Sequence, residues 1–249
     1  MSTNKILNDI NLSAKPYVIY KTSNGFDLFT DFSKKIILSN NNVVNFLETI
    51  SSNKKKIKKT DLYIGFFGYE LLNYLIGIKF PKQKTNFFPK GIFYKPETLI
   101  KLSENLSFKA PTIEKKNKQF KININRKNYT KIFNKFKTKI KQGETYQIKI
   151  CTKYKNKSKI DPLDFFCRLS KSNLAPEAFL IKDKNYSVIS CSPETLIEKK
   201  GRSIITKPIA GTLKKNASLN KSKALQYFRK NIKETKEHNM IVDMERSDL

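Results

Sequence analysis

Ala178-Phe-Leu-Ile-Lys-Asp-Lys-Asn-Tyr-Ser-Val-Ile-Ser190, followed closely by Thr195-Leu-Ile-Glu-Lys-Lys-Gly-Arg-Ser-Ile-Ile-Thr206, sets the fold class. Each stretch is two short runs rich in β-formers around a polar turn, Asp183-Lys184-Asn185 in the first and Lys199-Lys200-Gly201 in the second. Runs of that length around such turns form antiparallel hairpins. Upstream, Asp161-Pro162 opens a short helix, with Asp as N-cap, Pro at the first helical position and Leu163, Phe166 and Leu169 facing inward. Earlier still, Tyr129, Ile132, Phe133, Phe136 and Ile140 fall at helical spacing after Asn128, and Gly143 sits where a C-terminal cap belongs. A strand is expected from Thr145 to Tyr154, and beyond Leu219 the pattern is helical toward Val242. Short strands are expected at Tyr17–Tyr20, Lys35–Leu38 and Leu62–Phe67. Mostly antiparallel sheets with flanking helices on one side define an α+β fold.

Composition narrows the classes. A chain of 249 residues can bury a substantial core, and 39% apolar residues with 18 Phe and 11 Tyr exclude a disordered protein. No apolar run spans a bilayer: the best, Leu71–Ile78, is short and interrupted by Asn73. Residues 1–16 lack the apolar core of a secretion signal. Cys151, Cys167 and Cys191 have no metal-type spacing, which suits reduced thiols in a cytoplasmic protein. The net charge of +29 invites a nucleic-acid reading. The lysines, however, are spread along the chain with abundant Asn and Ile, residue types that share A/T-rich codons. The two dense runs, Lys54–Lys59 and Lys115–Lys121, carry no interleaved stacking motif. A solvated basic surface is the reading adopted, and an anionic small-molecule substrate would tolerate such a field. Three regions are expected: a β-rich segment 1–102, a lysine-rich connection 103–126, and a region 127–249 that carries most of the motifs.

Five stretches occur in order: Gly65-Phe-Phe-Gly-Tyr-Glu70, Gly143-Glu-Thr-Tyr-Gln147, Ser190-Cys-Ser-Pro-Glu194, Lys207-Pro-Ile-Ala-Gly-Thr212, and Lys236-Glu-His-Asn-Met-Ile-Val-Asp-Met-Glu-Arg-Ser-Asp-Leu249. Any one occurs by chance in many proteins; all five, each on an element that suits it, form a strong signal. Together they resemble component I of anthranilate synthase and of aminodeoxychorismate synthase, over nearly all of residues 62–249.

That resemblance implies a chorismate-binding fold, of which this chain is an incomplete portion. It implies amination of chorismate with Mg2+ as cofactor and ammonia from a glutamine amidotransferase partner. By the same resemblance Ala210, Gly211 and Thr212 contact chorismate, Glu237 is a Mg2+ ligand and Glu194 is the general acid for the departing hydroxyl. Plainer readings stand beside these: Gly211 suits a turn, Glu194 could merely end a strand, and a Glu on a polar helix face is usually solvated. Gln147 occupies the position that resembles a lysine base in relatives that add water to chorismate. A neutral Gln cannot take that proton, so ammonia is the expected nucleophile. His238 is read as a local packing or outer-layer residue, since the family's catalytic histidine lies further downstream.

Two features bear on the position of amination. Ala210 stands where the aminodeoxychorismate branch resembles Pro-Ile-Lys-Gly-Thr, which argues against a covalent step by a lysine at that position, while nearby Lys207 and Lys214 keep such a step open. Against anthranilate synthesis, the Leu-Leu-Glu-Ser stretch used for tryptophan feedback is lacking. The second feedback motif reads Asn173-Leu-Ala-Pro-Glu-Ala178, with Glu177 where an aromatic ring should pack. The reading therefore leans to aminodeoxychorismate synthase component I, for para-aminobenzoate and folate. Its alternatives are anthranilate synthase component I without tryptophan feedback, and a basic nucleic-acid-binding protein or inactive fragment. The family pattern continues beyond Arg246-Ser-Asp-Leu249, so the chain is expected to be truncated and inactive alone. The solvated-surface reading predicts no nucleic-acid complex of consequence in a filter-binding assay. Binding that collapses steeply with salt, between roughly 50 and 200 mM, and that ignores chorismate would favour the nucleic-acid alternative.

Overall fold

A computed structural model describes residues 2–52, 58–77, 88–110 and 119–249. Most of the two dense lysine runs lie outside these residues, as does the end of the Leu71–Ile78 run. The chain forms two compact units, one of Met1–Lys109 with Pro162–Leu249 and one of Ala110–Asp161.

The first unit is built on a six-stranded antiparallel sheet of order β3-β4-β2-β1-β7-β8. Its strands are β1 (Tyr17–Thr22), β2 (Gly25–Ile37), β3 (Ile64–Phe67), β4 (Gly91–Leu102), β7 (Glu177–Lys182) and β8 (Ser187–Ser192). Alternation along β1 divides its side chains between the two faces. Tyr17 and Ile19 pack with Leu28, Leu180 and Phe166, whereas Val18 packs with Phe29, Tyr94 and Ile181. Helices α1 (Thr3–Leu12) and α5 (Pro162–Ser172) cover the first of these faces with Leu7, Leu163 and Phe166. A third cluster places Val43 and Phe46 of α2 (Val43–Ser52) against Phe93 and Leu71. Gly65 of β3 lies so close to Ile92 that a Cβ would collide with its carbonyl oxygen, so the first glycine of the Gly65–Glu70 motif serves strand packing. A short helix α3 (Leu72–Leu75) follows.

The same unit continues through the hairpin of β9 (Thr195–Lys200) and β10 (Ser203–Lys207), then α6 (Lys221–Lys230) and α7 (Ile232–Asp248). The two hairpins fall where the sequence placed them, and Gly201 takes the left-handed conformation (φ 59°) that the second turn requires. The helix expected beyond Leu219 is two helices. The Asn231 N–H bonds back to the Tyr227 carbonyl while its side chain accepts from the Glu234 N–H, so one residue ends α6 and caps α7.

The second unit holds α4 (Arg126–Lys141), capped by Asn125 and closed by Gly143 (φ 76°), and a two-residue ladder of β5 (Lys121–Ile122) with β6 (Tyr154–Lys155). The strand expected over Thr145–Tyr154 is corrected here: only its end is paired. A strand needs a neighbour for its backbone groups, and β5 offers two residues, extended only by bonds between Asn123 and Lys153. No helix among the described residues is long and apolar enough to cross a membrane.

On the second sheet face, Asp183 is buried and accepts from Lys35 Nζ (2.7 Å), the Lys184 N–H (2.6 Å) and the Tyr94 hydroxyl. Burial alone would raise its pKa, but the bonds from Lys35, Tyr94 and the Lys184 amide outweigh it and hold the carboxyl below its ordinary value. A depressed folded pKa adds stability that is full above the unfolded value, about 3.9, and is lost as pH falls through the folded one. Asp183→Asn is therefore expected to lower stability at pH 7 by about 1–3 kcal/mol. It should also flatten the pH dependence of the thermal midpoint below about pH 4, and calorimetry across that range checks both.

Candidate active site

Hairpin β7–β8 ends in a tight turn at Ser192-Pro-Glu194. The Ser192 hydroxyl accepts from the Glu194 N–H at 3.3 Å and donates to the Glu194 carbonyl at 3.1 Å. Thr195 then starts β9 and donates to Glu177 Oε1 at 2.6 Å, while the Tyr20 hydroxyl donates to Glu177 Oε2 at 2.7 Å. Burial, then the Glu177 carboxylate, push the Tyr20 phenol well above its usual range, so it stays a donor. This clamp fixes the start of β9 to the centre of the main sheet, and with it the position of Glu194.

The Glu194 carboxylate, on an exposed residue, accepts the Ile209 N–H at 3.1 Å. It thereby ties down the loop Pro208–Leu213 after β10. Within that loop Ala210 and Gly211 are half-buried and Thr212 is exposed. Gly211 faces α7, and a Cβ at 211 would collide with the Glu234 carboxylate. Helix α7 is attached to β10 by the Thr206 hydroxyl, which donates to Glu245 at 2.8 Å. Asn231, Glu234, Glu237 and Met240 form its half-covered stripe at i, i+3 spacing. Glu234 Oε2 is buried and has no hydrogen-bond partner, while Oε1 lies 3.8 Å from Lys233 Nζ. An orphaned buried carboxylate oxygen is costly, and it faces the loop.

Glu194, Ala210, Gly211 and Thr212 are thus brought to one place in the first unit, with Glu237 one turn along α7 from Glu234. Gln147 belongs to the second unit, where it is exposed and outside any strand, its carbonyl accepting from the Thr145 hydroxyl at 3.1 Å. His238 is exposed, which corrects its reading as a packing residue: it falls on the outer side of the helix, away from the half-covered stripe. Glu234 was missed in the sequence because Asn231-x-x-Glu234 reads as an ordinary capping box, which would occupy the carboxylate at the helix start. Here the Asn231 N–H is already bonded to α6, and the carboxylate turns to Gly211.

The chain belongs to the chorismate binding enzyme family, whose model matches residues 14–249. It is 29% identical to the anthranilate synthase component I-like protein of Synechocystis over 213 residues, 75% of this chain and 44% of that one. It is likewise 29% identical to anthranilate synthase component 1 of Buchnera aphidicola subsp. Rhopalosiphum maidis over 264 residues, 88% and 51% of the two chains. Against aminodeoxychorismate synthase component 1 of Bacillus subtilis the identity is 30% over 122 residues, 49% and 26% of the two chains. A solved chain from Bacillus anthracis assigned as a 2,3-dihydroxybenzoate-specific isochorismate synthase superposes with a TM-score of 0.57 at 17% identity, over 97% of this chain and 61% of its own. That match shows the fold. The chain spans about half the length or less of these curated relatives.

The donor chemistry on α7 fits magnesium. Mg2+ takes oxygen ligands and is commonly bound through one or two carboxylates plus water and substrate oxygens. Glu237 with the orphaned oxygen of Glu234 would supply such carboxylates. Among the described residues no cluster of three or more metal-binding side chains exists, so the remaining ligands would come from elsewhere.

Because Glu194 is exposed, Glu194→Ala should change stability by no more than about 1 kcal/mol, yet free the loop. Tryptic cleavage after Lys214 is expected to accelerate several-fold, while Glu194→Gln, which keeps an acceptor, should cleave like the parent. Equal rates in all three would show that the bond to Ile209 does not hold the loop.

Proposed function

We propose that this chain is the chorismate-gripping part of component I of aminodeoxychorismate synthase, acting in the cytoplasm with a glutamine amidotransferase subunit that delivers ammonia. The observation that carries the proposal is the Pro208–Thr212 loop, held open-handed by Glu194 with Gly211 against an acidic helix. Chorismate has two carboxylates and a ring hydroxyl that must leave. Backbone amides of the loop can donate to such oxygens, while the missing Cβ at Gly211 lets the loop lie against the Glu234 carboxylate. Thr212, exposed, presents a hydroxyl alongside. Glu194 Oε1 accepts from Ile209, which leaves Oε2 to carry the proton for the departing hydroxyl. When bound, Mg2+ would neutralise a substrate carboxylate beside Glu237 and Glu234. By the resemblance alone, Gln147 stands where relatives that add water to chorismate carry a lysine base, and an uncharged side chain cannot act as that base, which favours ammonia as nucleophile.

Glu177 supports the folate branch: both its oxygens are engaged, by Tyr20 and Thr195, at the position where the feedback motif would pack an aromatic ring. The second reading, anthranilate synthase component I, is favoured by Ala210 in place of a lysine nucleophile and by the names of several relatives. Chromatography of products separates the two. The chain alone, given chorismate, ammonium and Mg2+, should leave chorismate unconsumed. Supplemented with the C-terminal remainder of a full-length relative, it should yield 4-amino-4-deoxychorismate. Anthranilate would establish the second reading, and isochorismate would overturn amination altogether.

A further inference from the structure

We propose that Thr206 and Glu245 are a positioning pair, whose hydrogen bond sets helix α7 against the Pro208–Thr212 loop and so fixes where the Glu237 carboxylate stands. The inference rests on the cation reading of the proposed function, and it holds for either amination. The Thr206 hydroxyl donates to Glu245 Oε2 at 2.8 Å, and both residues are half-buried. Among the described residues no other hydrogen bond joins α7 to the hairpin β9–β10 or its loop. The remaining side-chain bonds of the helix run to α6, from the Thr235 hydroxyl to the Phe228 carbonyl, or stay within α7, as at Arg246 and Ser247 with Asp243. None of its residues is buried, so apolar packing does not hold it in place. Gly211 lies against Glu234, but Glu234 Oε2 has no hydrogen-bond partner. That approach excludes atoms without supplying the direction that a hydrogen bond gives.

The spacing of the two contacts shows what the bond does. Glu234 and Glu245 are eleven residues apart on α7, which is close to three turns, so they share one side about 16 Å apart along the axis. The residues that meet them, Gly211 and Thr206, are five residues apart, and an extended chain covers about 17 Å in that distance. Lys207 precedes a proline, which biases it to the extended conformation. The stretch from Thr206 to Gly211 is therefore drawn out along α7, opposite to the helix direction and with little slack. Glu237 lies about 4.5 Å along the axis from Glu234, between the two contacts. Three carboxylates meet this one stretch: Glu245 at Thr206, Glu194 at Ile209 and Glu234 at Gly211.

Helix α7 is tied to α6 at its start through Asn231. Without the bond from Thr206 its far end is released, and the helix pivots about that start and carries Glu237 away from the loop. Neither Thr206 nor Glu245 touches the substrate in this account. They act through Glu237.

The test uses the full 249-residue chain, isotope-labelled for NMR, with millimolar Mn2+ as the probe. In the parent, Mn2+ is expected to broaden the Gly211 and Thr212 amide signals, and excess Mg2+ to restore them. Thr206→Val keeps the shape and removes the donor, and should weaken Mn2+ binding by about tenfold or more. Glu245→Ala should do the same. Thr206→Ser and Glu245→Gln, which keep the donor and the acceptor, should bind as the parent does. Ser247→Ala, which removes a bond internal to α7, should also bind normally. A bond that served stability alone would lower the melting temperature and leave the Mn2+ affinity of the folded chain unmoved, so circular dichroism melts accompany each titration. Broadening that survives both Thr206→Val and Glu245→Ala overturns the positioning role and leaves the cation site standing. Absence of broadening at these amides in the parent overturns the cation reading and the positioning role with it.

Discussion

The carboxylate of Glu177 holds the molecule's two purposes together. One oxygen takes the Tyr20 hydroxyl from the central strand of the sheet and the other takes Thr195 at the root of the second hairpin. Everything that makes the candidate site follows from that root. Glu194 precedes it by one residue, Ile209 is bonded to Glu194, and Gly211 is placed against Glu234 through the same loop. The clamp itself depends on β1 and β7 being neighbours, a pairing between residues about 160 apart in the chain. Such a long closure carries an entropic cost that local contacts cannot offset, and it is met by the apolar cluster of Ile19, Leu180 and Phe166 on one sheet face.

What could be read in advance was local. The hairpins at 178–190 and 195–206, the Asp161-Pro162 helix start and the Gly143 cap are each fixed by a few adjacent residues, and each appears as expected. The β1–β7 pairing was not legible, because nothing in Tyr17–Thr22 names its partner. The strand from Thr145 failed for the converse reason: its alternation is real, but only two residues of a neighbouring strand meet it. At the site, Glu194 and the Ala210–Thr212 loop were visible as motifs. Glu234 was hidden by a pattern with a simpler use, helix capping, and only the backbone bond from Asn231 to α6 shows why the carboxylate is free to face the loop.

The basic character of the chain takes on a definite meaning beside this geometry. In the first unit Glu177 sits in the clamp, Asp183 in the buried cluster and Glu245 against β10, while Glu234 faces the loop with one oxygen unpartnered. A basic surface would suit the proposed dianionic substrate, and the carboxylates of α7 would suit a divalent cation beside it.

The central claim is that the Pro208–Thr212 loop is where chorismate is gripped. Hydrogen exchange of the Gly211 and Thr212 amides, measured with and without millimolar chorismate and Mg2+, tests it most directly. Slower exchange at these two amides, with none at the lysine-rich helix α4, is the predicted result. Unchanged exchange at Gly211 and Thr212, or slowing confined to the lysine-rich surface, would contradict it.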